Sequence, residues 1–173
     1  MSGLISMTFR PLALADLVLL HEWLARPHVA QWWGPPPSGA EVEEEYGPLL
    51  DGTGPHRAYI ALQAGMPIGF IQSYTPVACH GEGWWLEEHD AGVRGIDQFL
   101  APADQLGRGL GTAMVLAFVS ELLADPGVTR IQTDPSPQNR RAIRCYEKAG
   151  FRAVREIDTP DGCALLMYYD RQV

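Results

Sequence analysis

Cysteine is scarce in this chain. Cys79, Cys145 and Cys163 are odd in number, far apart and without CxxC or paired-histidine spacing. Neither a disulfide framework nor a zinc site is indicated, no metal is expected, and reduced, buried thiols are the default reading. Long apolar runs are missing too: no stretch approaches the ~20 apolar residues of a membrane span. MSGLISMTFRPLA has no basic region followed by an apolar one, so a soluble, cytoplasmic protein with no membrane partner is expected. Positive charge is the third shortage. Thirteen Lys and Arg stand against 21 Asp and Glu, a formal charge of -8, the wrong sign for binding nucleic acid by neutralising its phosphates. A cationic small molecule or a basic protein tail suits that balance, and plain solubility is the simpler account. Internal repeats and low-complexity tracts are absent.

What is present is 173 residues with 46% apolar and 20% charged composition, enough for a single domain over 1–173 that buries its own core. ISMTFR (5–10) reads as a strand stopped by Pro11, and Leu17, Leu20, His21 and Leu24 share one face of a helix over 14–25 that Pro27 ends. Trp32 and Trp33 then precede Gly34 and three prolines, which reads as a stiff loop carrying large aromatics. Ser38 and Glu41 have capping-box spacing at the start of an acidic helix. RAYIALQAG and MPIGFIQSY form a hairpin turning at 64–67, followed by the irregular, tryptophan- and carboxylate-rich TPVACHGEGWWLEEHDAG. A strand over 93–100 feeds the Gly-rich LGRGLGT and a helix over 110–123, so apolar that burial on most sides, at the centre of the domain, is expected. A strand (128–134) leads to a helix with Ser136 as N-cap, Pro137 in its first turn and Gly150 as its stop, and two strands close the chain around a turn at 159–162. This order makes the fold class α/β (α+β): a mixed, largely antiparallel sheet with helices on both faces.

Gly107, Gly109 and Gly111 run straight into a helix, so backbone N–H groups and the helix dipole can face an anion. Alone, the spacing fits a Walker loop, a Rossmann turn or packing glycines. No Lys-Ser/Thr pair follows for the first, and a position after four strands disfavours the second.

A second signature is Asn139-x-x-Ala142-x-x-x-Tyr146-Glu147-Lys148-x-Gly150-Phe151. With the glycine loop it resembles the GNAT N-acetyltransferase superfamily. That resemblance implies acetyl-CoA as co-substrate, with its pyrophosphate on Gln105, Leu106, Gly107, Arg108, Gly109, Leu110, Gly111 and Thr112, its pantetheine arm by Asn139 and Ala142, and Tyr146 as general acid at the thioester sulfur. Leu106 departs from the superfamily pattern, which has Gln or Arg there. HEWLARPHVAQWWG, GWWLEEHDAGVRGIDQFLA, QLGRGLGT, IQTDPSPQNRRAIRCYEKAGF and TPDG resemble, more narrowly, the aminoglycoside 6'-N-acetyltransferases of antibiotic resistance. Acetyltransferases of hydroxamate siderophore synthesis share some of these segments.

Transfer to a sugar amine needs a base, because the amine is mostly ammonium near pH 7. Asp97, in an otherwise apolar strand before the glycine loop, fits that need, and the resemblance assigns it the role; a strand bulge or an ion pair with Arg94 would explain it structurally. Tyr146 would protonate the leaving thiolate, and the N–H of Phe99 or Leu100 would meet the oxyanion. A polycationic sugar needs separated carboxylates and flat aromatic walls. Glu82, Asp97, Asp134 and Asp161 supply the first, Trp33, Tyr46, Trp84 and Trp85 the second, and Gln72 belongs to the same expected set. Glu82 stands where the resembled family often has Asp. The reading is direct transfer to an aminoglycoside 6'-amine in a ternary complex, by a monomer or weak homodimer. Its rivals are a GNAT enzyme for another amine or hydroxylamine, such as a siderophore precursor or polyamine, and a non-catalytic acyl-CoA-binding module.

Overall fold

The computed structural model describes residues 5–172; residues 1–4 and 173 of the expected 1–173 domain lie outside them. Seven strands form one mixed sheet, ordered β1-β2-β3-β4-β5-β7-β6. The fold divides into two compact units: the chain up to Gln72 with Gln98–Gly111, and Ser73–Asp97 with the chain from Thr112 onward.

In the first unit, β1 (Met7–Pro11) pairs antiparallel with β2 (His56–Gln63), Met7 opposite Gln63 and Pro11 opposite Tyr59. Pro11 closes the strand from within it, tolerated because β1 is an edge strand. The helix expected over 14–25 is split into a 3-10 turn, Leu14–Asp16, and α1 (Leu17–Leu24). Asp16 makes the break: it accepts the Ala13 N–H at 2.8 Å and both Arg10 guanidinium nitrogens at 2.5 and 2.8 Å.

Pro27 does end one helix, but it also opens the next, α2 (Pro27–Trp33), at the first-turn position where its missing N–H costs nothing. Trp32 and Trp33 therefore stand on a helix and not on the expected loop. The Ser38–Glu41 capping box is present at α3 (Gly39–Tyr46), with reciprocal bonds of 3.2 and 2.6 Å. β2 turns at Ala64 and Gly65 into β3 (Met66–Tyr74). Leu17, Leu20, Trp23, Leu24, Val29 and Val42 close a core over Ile60, Phe70 and Phe99, the last two rings stacked at 5.6 Å.

In the second unit, β4 (Val93–Leu100) runs parallel to β5 (Arg130–Thr133), pairing Val93, Arg94 and Gly95 with Arg130, Ile131 and Gln132. β5 then pairs antiparallel with β7 (Gly162–Asp170), and β7 with β6 (Arg152–Thr159). α4 (Leu110–Leu123) is less enclosed than its composition suggests: Met114, Val115, Phe118 and Val119 are buried, but Leu116 is 45% exposed. Its carboxyl end is held by Arg171, which donates to the carbonyls of Leu123, Asp125 and Val128 at 2.7 to 2.9 Å. α5 (Arg140–Lys148) begins later than expected, and its N-cap is Asn139, not Ser136; Asn139 Oδ1 accepts the Ala142 N–H at 3.2 Å. Of the thiols expected to be buried, only Cys79 is; Cys145 is half-buried and Cys163 exposed. Among the described residues no helix is long and apolar enough to cross a membrane.

The Arg10–Asp16 pair holds the Asp16 carboxyl below the usual range, first through the guanidinium hydrogen bonds. The stabilisation is therefore present at neutral pH and lost as pH falls through the lowered value. We expect Asp16→Asn to cost about 1–2 kcal/mol at pH 7, discounted for the exposed side of Arg10, with the gap to wild type closing as acid protonates Asp16. Urea titrations at pH 7 and pH 3 check this.

Candidate functional site

The acidic centre lies in the second unit. Asp97 on β4 and Asp134, one residue past β5, come close enough that each disfavours ionisation nearby. Both are half-buried. The edge of the β4–β5 ladder is tied by Thr133, whose hydroxyl donates to the Ile96 carbonyl at 3.1 Å. Arg94, offered by the sequence as a partner for Asp97, turns its guanidinium to the Ala91 and Val93 carbonyls at 2.8 and 3.0 Å.

Trp85 donates its indole N–H to Asp134 Oδ2 at 3.0 Å. Its ring lies flat on Tyr74, the centroids 4.2 Å apart and the planes within 10°, and Trp84 leans against it at 5.0 Å. The Trp85 backbone is in the left-handed region, φ 45°, where a bulky side chain is strained. Two donors hold it there: the Trp85 carbonyl accepts the Glu88 N–H at 2.9 Å and His80 Nε2 at 3.0 Å. The irregular segment expected from the sequence thus contains a 3-10 helix, Pro76–Glu82, and a pinned tryptophan.

Burial first, then the Asp97 charge and more weakly that of Asp161, raise the Asp134 carboxyl from 3.8 to about 7; the Trp85 indole N–H pulls the other way. Tyr74 is itself buried, and its phenol is held well above its ordinary range by burial and by Asp134 and Asp97. It therefore remains neutral. Tyr146, on α5, is 4% exposed, packs on Phe151 at 5.4 Å and adds to the same electrostatic cluster through Tyr74.

Other expected residues stand apart from this cluster or outside this unit. Glu82 ends the 3-10 helix, exposed, and Asp161 is exposed in the β6–β7 turn. Tyr46 (3% exposed) packs edge-on to Phe70 at 5.6 Å, and Trp33 packs edge-on to Phe70 and Phe99 at 5.8 and 5.0 Å, in the first unit's core. Gln72 is half-buried on β3.

The anion loop also belongs largely to the first unit. Gln105 ends a 3-10 turn and Leu106 follows it, both half-buried; Gly107, Arg108 and Gly109 are exposed in the turn that opens α4 at Leu110, followed by half-buried Gly111 and Thr112. Gly107 and Gly109 have φ of 74° and 83°, conformations that orient the loop for a 14-residue helix whose first N–H groups have no intrahelical acceptor. This arrangement fits a pyrophosphate. At the exit of β4 the carbonyls of Leu100 and Ala101 accept His28 Nε2 at 2.8 Å and Arg26 at 2.7 Å, and the Ala101 N–H reaches Ile68 at 2.8 Å. These contacts fix the backbone next to Phe99.

The sequence does not single out His28, Tyr74, Gly95 or His80. A glycine inside a strand was the one available signal, since it marks close approach of another group. No group of three or more His, Cys, Asp or Glu among the described residues is placed to hold a metal ion.

A carboxyl that ionises near pH 7 when folded and near 3.8 when unfolded binds more protons in the folded state between those values. Stability contributed by Asp134 therefore falls as pH rises through that window. We expect Asp134→Asn to melt above wild type at pH 8 without ligand, and to lose that advantage at pH 5. A Tm series over that range checks the sign.

Residues 13–159 match the model of the acetyltransferase (GNAT) domain family. The chain is 52% identical over 170 residues to aminoglycoside N(6')-acetyltransferase type 1 of Klebsiella pneumoniae, spanning 96% of this chain and 84% of that protein. Solved structures of AAC(6')-Ib agree: one with coenzyme A and kanamycin at a TM-score of 0.91 and 52% identity, covering 96% of this chain and 95% of that one, and one with paromomycin and acetyl-CoA at 0.92 and 53%, covering 96% and 94%. The chain belongs to the GNAT acetyltransferases and, among them, to the aminoglycoside 6'-N-acetyltransferase family.

Proposed function

We propose that this protein acetylates the 6'-amine of aminoglycosides by direct transfer from acetyl-CoA, with Asp97 as base and Tyr146 as acid. The observation that carries the reading is the pairing of Asp97 and Asp134 beside the Tyr74–Trp85 stack: clustered, half-buried carboxylates next to aromatic faces complement a sugar bearing several ammonium groups.

Acetyl-CoA supplies the activated acyl group. The chain's part is proton handling and alignment. Asp97 accepts a proton from the substrate ammonium, which frees the nitrogen lone pair to form the new C–N bond. Tyr146 gives its proton to the sulfur as the C–S bond breaks, and the second amine proton leaves to solvent. Asp134 and Asp161 hold other ammonium groups, with Glu82 at the margin, and Trp84 and Trp85 pack on the rings. The backbone of Phe99 or Leu100, steadied by His28 and Arg26, offers the N–H for the oxyanion. The pyrophosphate rests on the amides of residues 105–112. Asn139 uses its oxygen to cap α5, which leaves its NH2 as the end able to donate to the pantetheine arm beside Ala142.

The domain acts as one unit of function in the cytoplasm, as a monomer or weak homodimer. Kanamycin-dependent release of CoA thiol tests the assignment, and absence of turnover at high aminoglycoside would overturn it. We expect Asp97→Asn and Tyr146→Phe each to lower kcat by about 10²–10³-fold, the scale of losing one positioned acid or base, with acetyl-CoA affinity retained. Loss of affinity in step with rate would argue against these roles. Gly109→Ala, placing a Cβ at φ 83°, should raise the KM for acetyl-CoA about five- to tenfold, equivalent to roughly 1–1.4 kcal/mol of backbone strain, and leave the aminoglycoside KM alone.

A further inference from the structure

We propose that His80 is a positioning residue of the transfer reaction: it holds the Trp85 backbone in a left-handed conformation and so aims the indole N–H at Asp134. The inference rests on the reading that Asp134 receives a substrate ammonium.

Among the described residues only two that are not glycine have positive φ, Ala64 in the β2–β3 turn and Trp85 at 45°. A bulky side chain in that conformation persists only where its surroundings over-determine it. Here they do so at three points. Tyr74 ends β3, is 1% exposed, and lies flat under the indole at 4.2 Å. Tyr74 is itself immobile, because its ring fills the place of the missing Gly95 side chain, where a Cβ would fall 1.9 Å from Cζ. The indole N–H is the second point, donating to Asp134 Oδ2 at 3.0 Å. The third is the backbone carbonyl, which takes the Glu88 N–H at 2.9 Å and His80 Nε2 at 3.0 Å. A carbonyl only accepts, so the hydrogen lies on His80 Nε2.

The two bonds to that carbonyl come from opposite directions along the chain. Glu88 closes the turn that follows Trp85, and His80 approaches from the 3-10 helix that precedes it. Gly83, φ 87°, ends that helix and reverses the chain, its N–H returning to the His80 carbonyl at 3.0 Å. His89 stands edge-on to the His80 ring at 6.0 Å. The imidazole is thus built into the segment as a fixed donor.

The consequence for chemistry is orientation. With Oδ2 occupied by the indole, the rotation of the Asp134 carboxylate is set, and with it the direction in which Oδ1 meets an ammonium. In this role His80 acts through Trp85.

The test compares His80→Leu, which keeps bulk and removes the donor, with His80→Gln, whose amide NH2 stands near the place of Nε2. We expect His80→Leu to raise the KM for kanamycin about tenfold, the scale of one hydrogen bond, with the acetyl-CoA KM unchanged, and His80→Gln to return it to within about twofold of wild type. Trp85→Phe removes the indole donor and keeps a ring on Tyr74. In that background His80→Leu should add less than about twofold, because the route to Asp134 is already cut. A structural role alone would lower Tm and add its full effect in both backgrounds. A wild-type kanamycin KM in folded His80→Leu overturns the proposal, and so does a matching rise in the acetyl-CoA KM or full additivity with Trp85→Phe. If His80→Leu gives no soluble protein, His80→Asn, whose shorter amide stops short of the carbonyl, takes its place, with the same rise expected and a wild-type KM overturning the proposal. Asp134→Asn separates the two readings. A kanamycin KM raised by Asp134→Asn and untouched by His80→Leu removes only the role of His80; a KM unchanged by Asp134→Asn removes the ammonium reading, and the proposal with it.

Discussion

The constraint on which this site depends is electrostatic: Asp97 and Asp134 are kept near each other in a half-buried place where Asp134 resists being charged. Burial and mutual repulsion push the Asp134 carboxyl toward neutrality, and only hydrogen-bond donors oppose them. Other features of the second unit follow from that. Trp85 adopts a backbone conformation rare for its type in order to aim an N–H at Asp134, and two donors to its carbonyl hold it there. Gly95 gives up its side chain so that a neutral phenol can stand beside the pair. A polycation entering such a site supplies the compensation that burial withdrew, which is why the arrangement fits an aminoglycoside better than a neutral sugar.

The division between what was legible in the residues and what was not follows the range of the interaction concerned. The Ser38–Glu41 capping box is a four-residue signal and appears as expected. The strand 93–100 and the helix 110–123 have the expected bounds, because each is a run of one pattern closed by a turn. At α5 two good capping residues compete three positions apart. Asn139 wins because its oxygen reaches the Ala142 N–H, while Ser136 is engaged with Gln138. Trp33 sits on a helix because Pro27 starts one as readily as it stops one.

The candidate site was legible where local motifs carry it and opaque where sheet register does. The glycine loop and the α5 motif stand out in the chain because their chemistry needs fixed spacing on one element. Tyr74 and Gly95 are 21 positions apart and meet only through the way β3 and β4 are laid down; a lone strand glycine announces that something approaches, never what. His28 and Arg26 are similar. Their partners are the carbonyls of Leu100 and Ala101, and backbone acceptors leave no mark in a sequence.

The segment between β3 and β4 illustrates the physical point most fully. With no strand and one 3-10 helix, it has little regular structure from which to expect a fixed position. Its anchors argue otherwise. His80 and the Glu88 amide hold the Trp85 carbonyl, Tyr74 holds its ring, and Asp134 holds its indole N–H. Further along, the Asp90 carboxylate takes the Gly92 N–H at 2.7 Å and the Thr129 hydroxyl at 2.7 Å, tying the approach to β4 onto the strand end beside it. Each contact is worth only about 1 kcal/mol, but they act on a few consecutive residues and leave Trp85 little freedom. The ordering entropy that a flexible segment would lose on binding has here already been settled in folding.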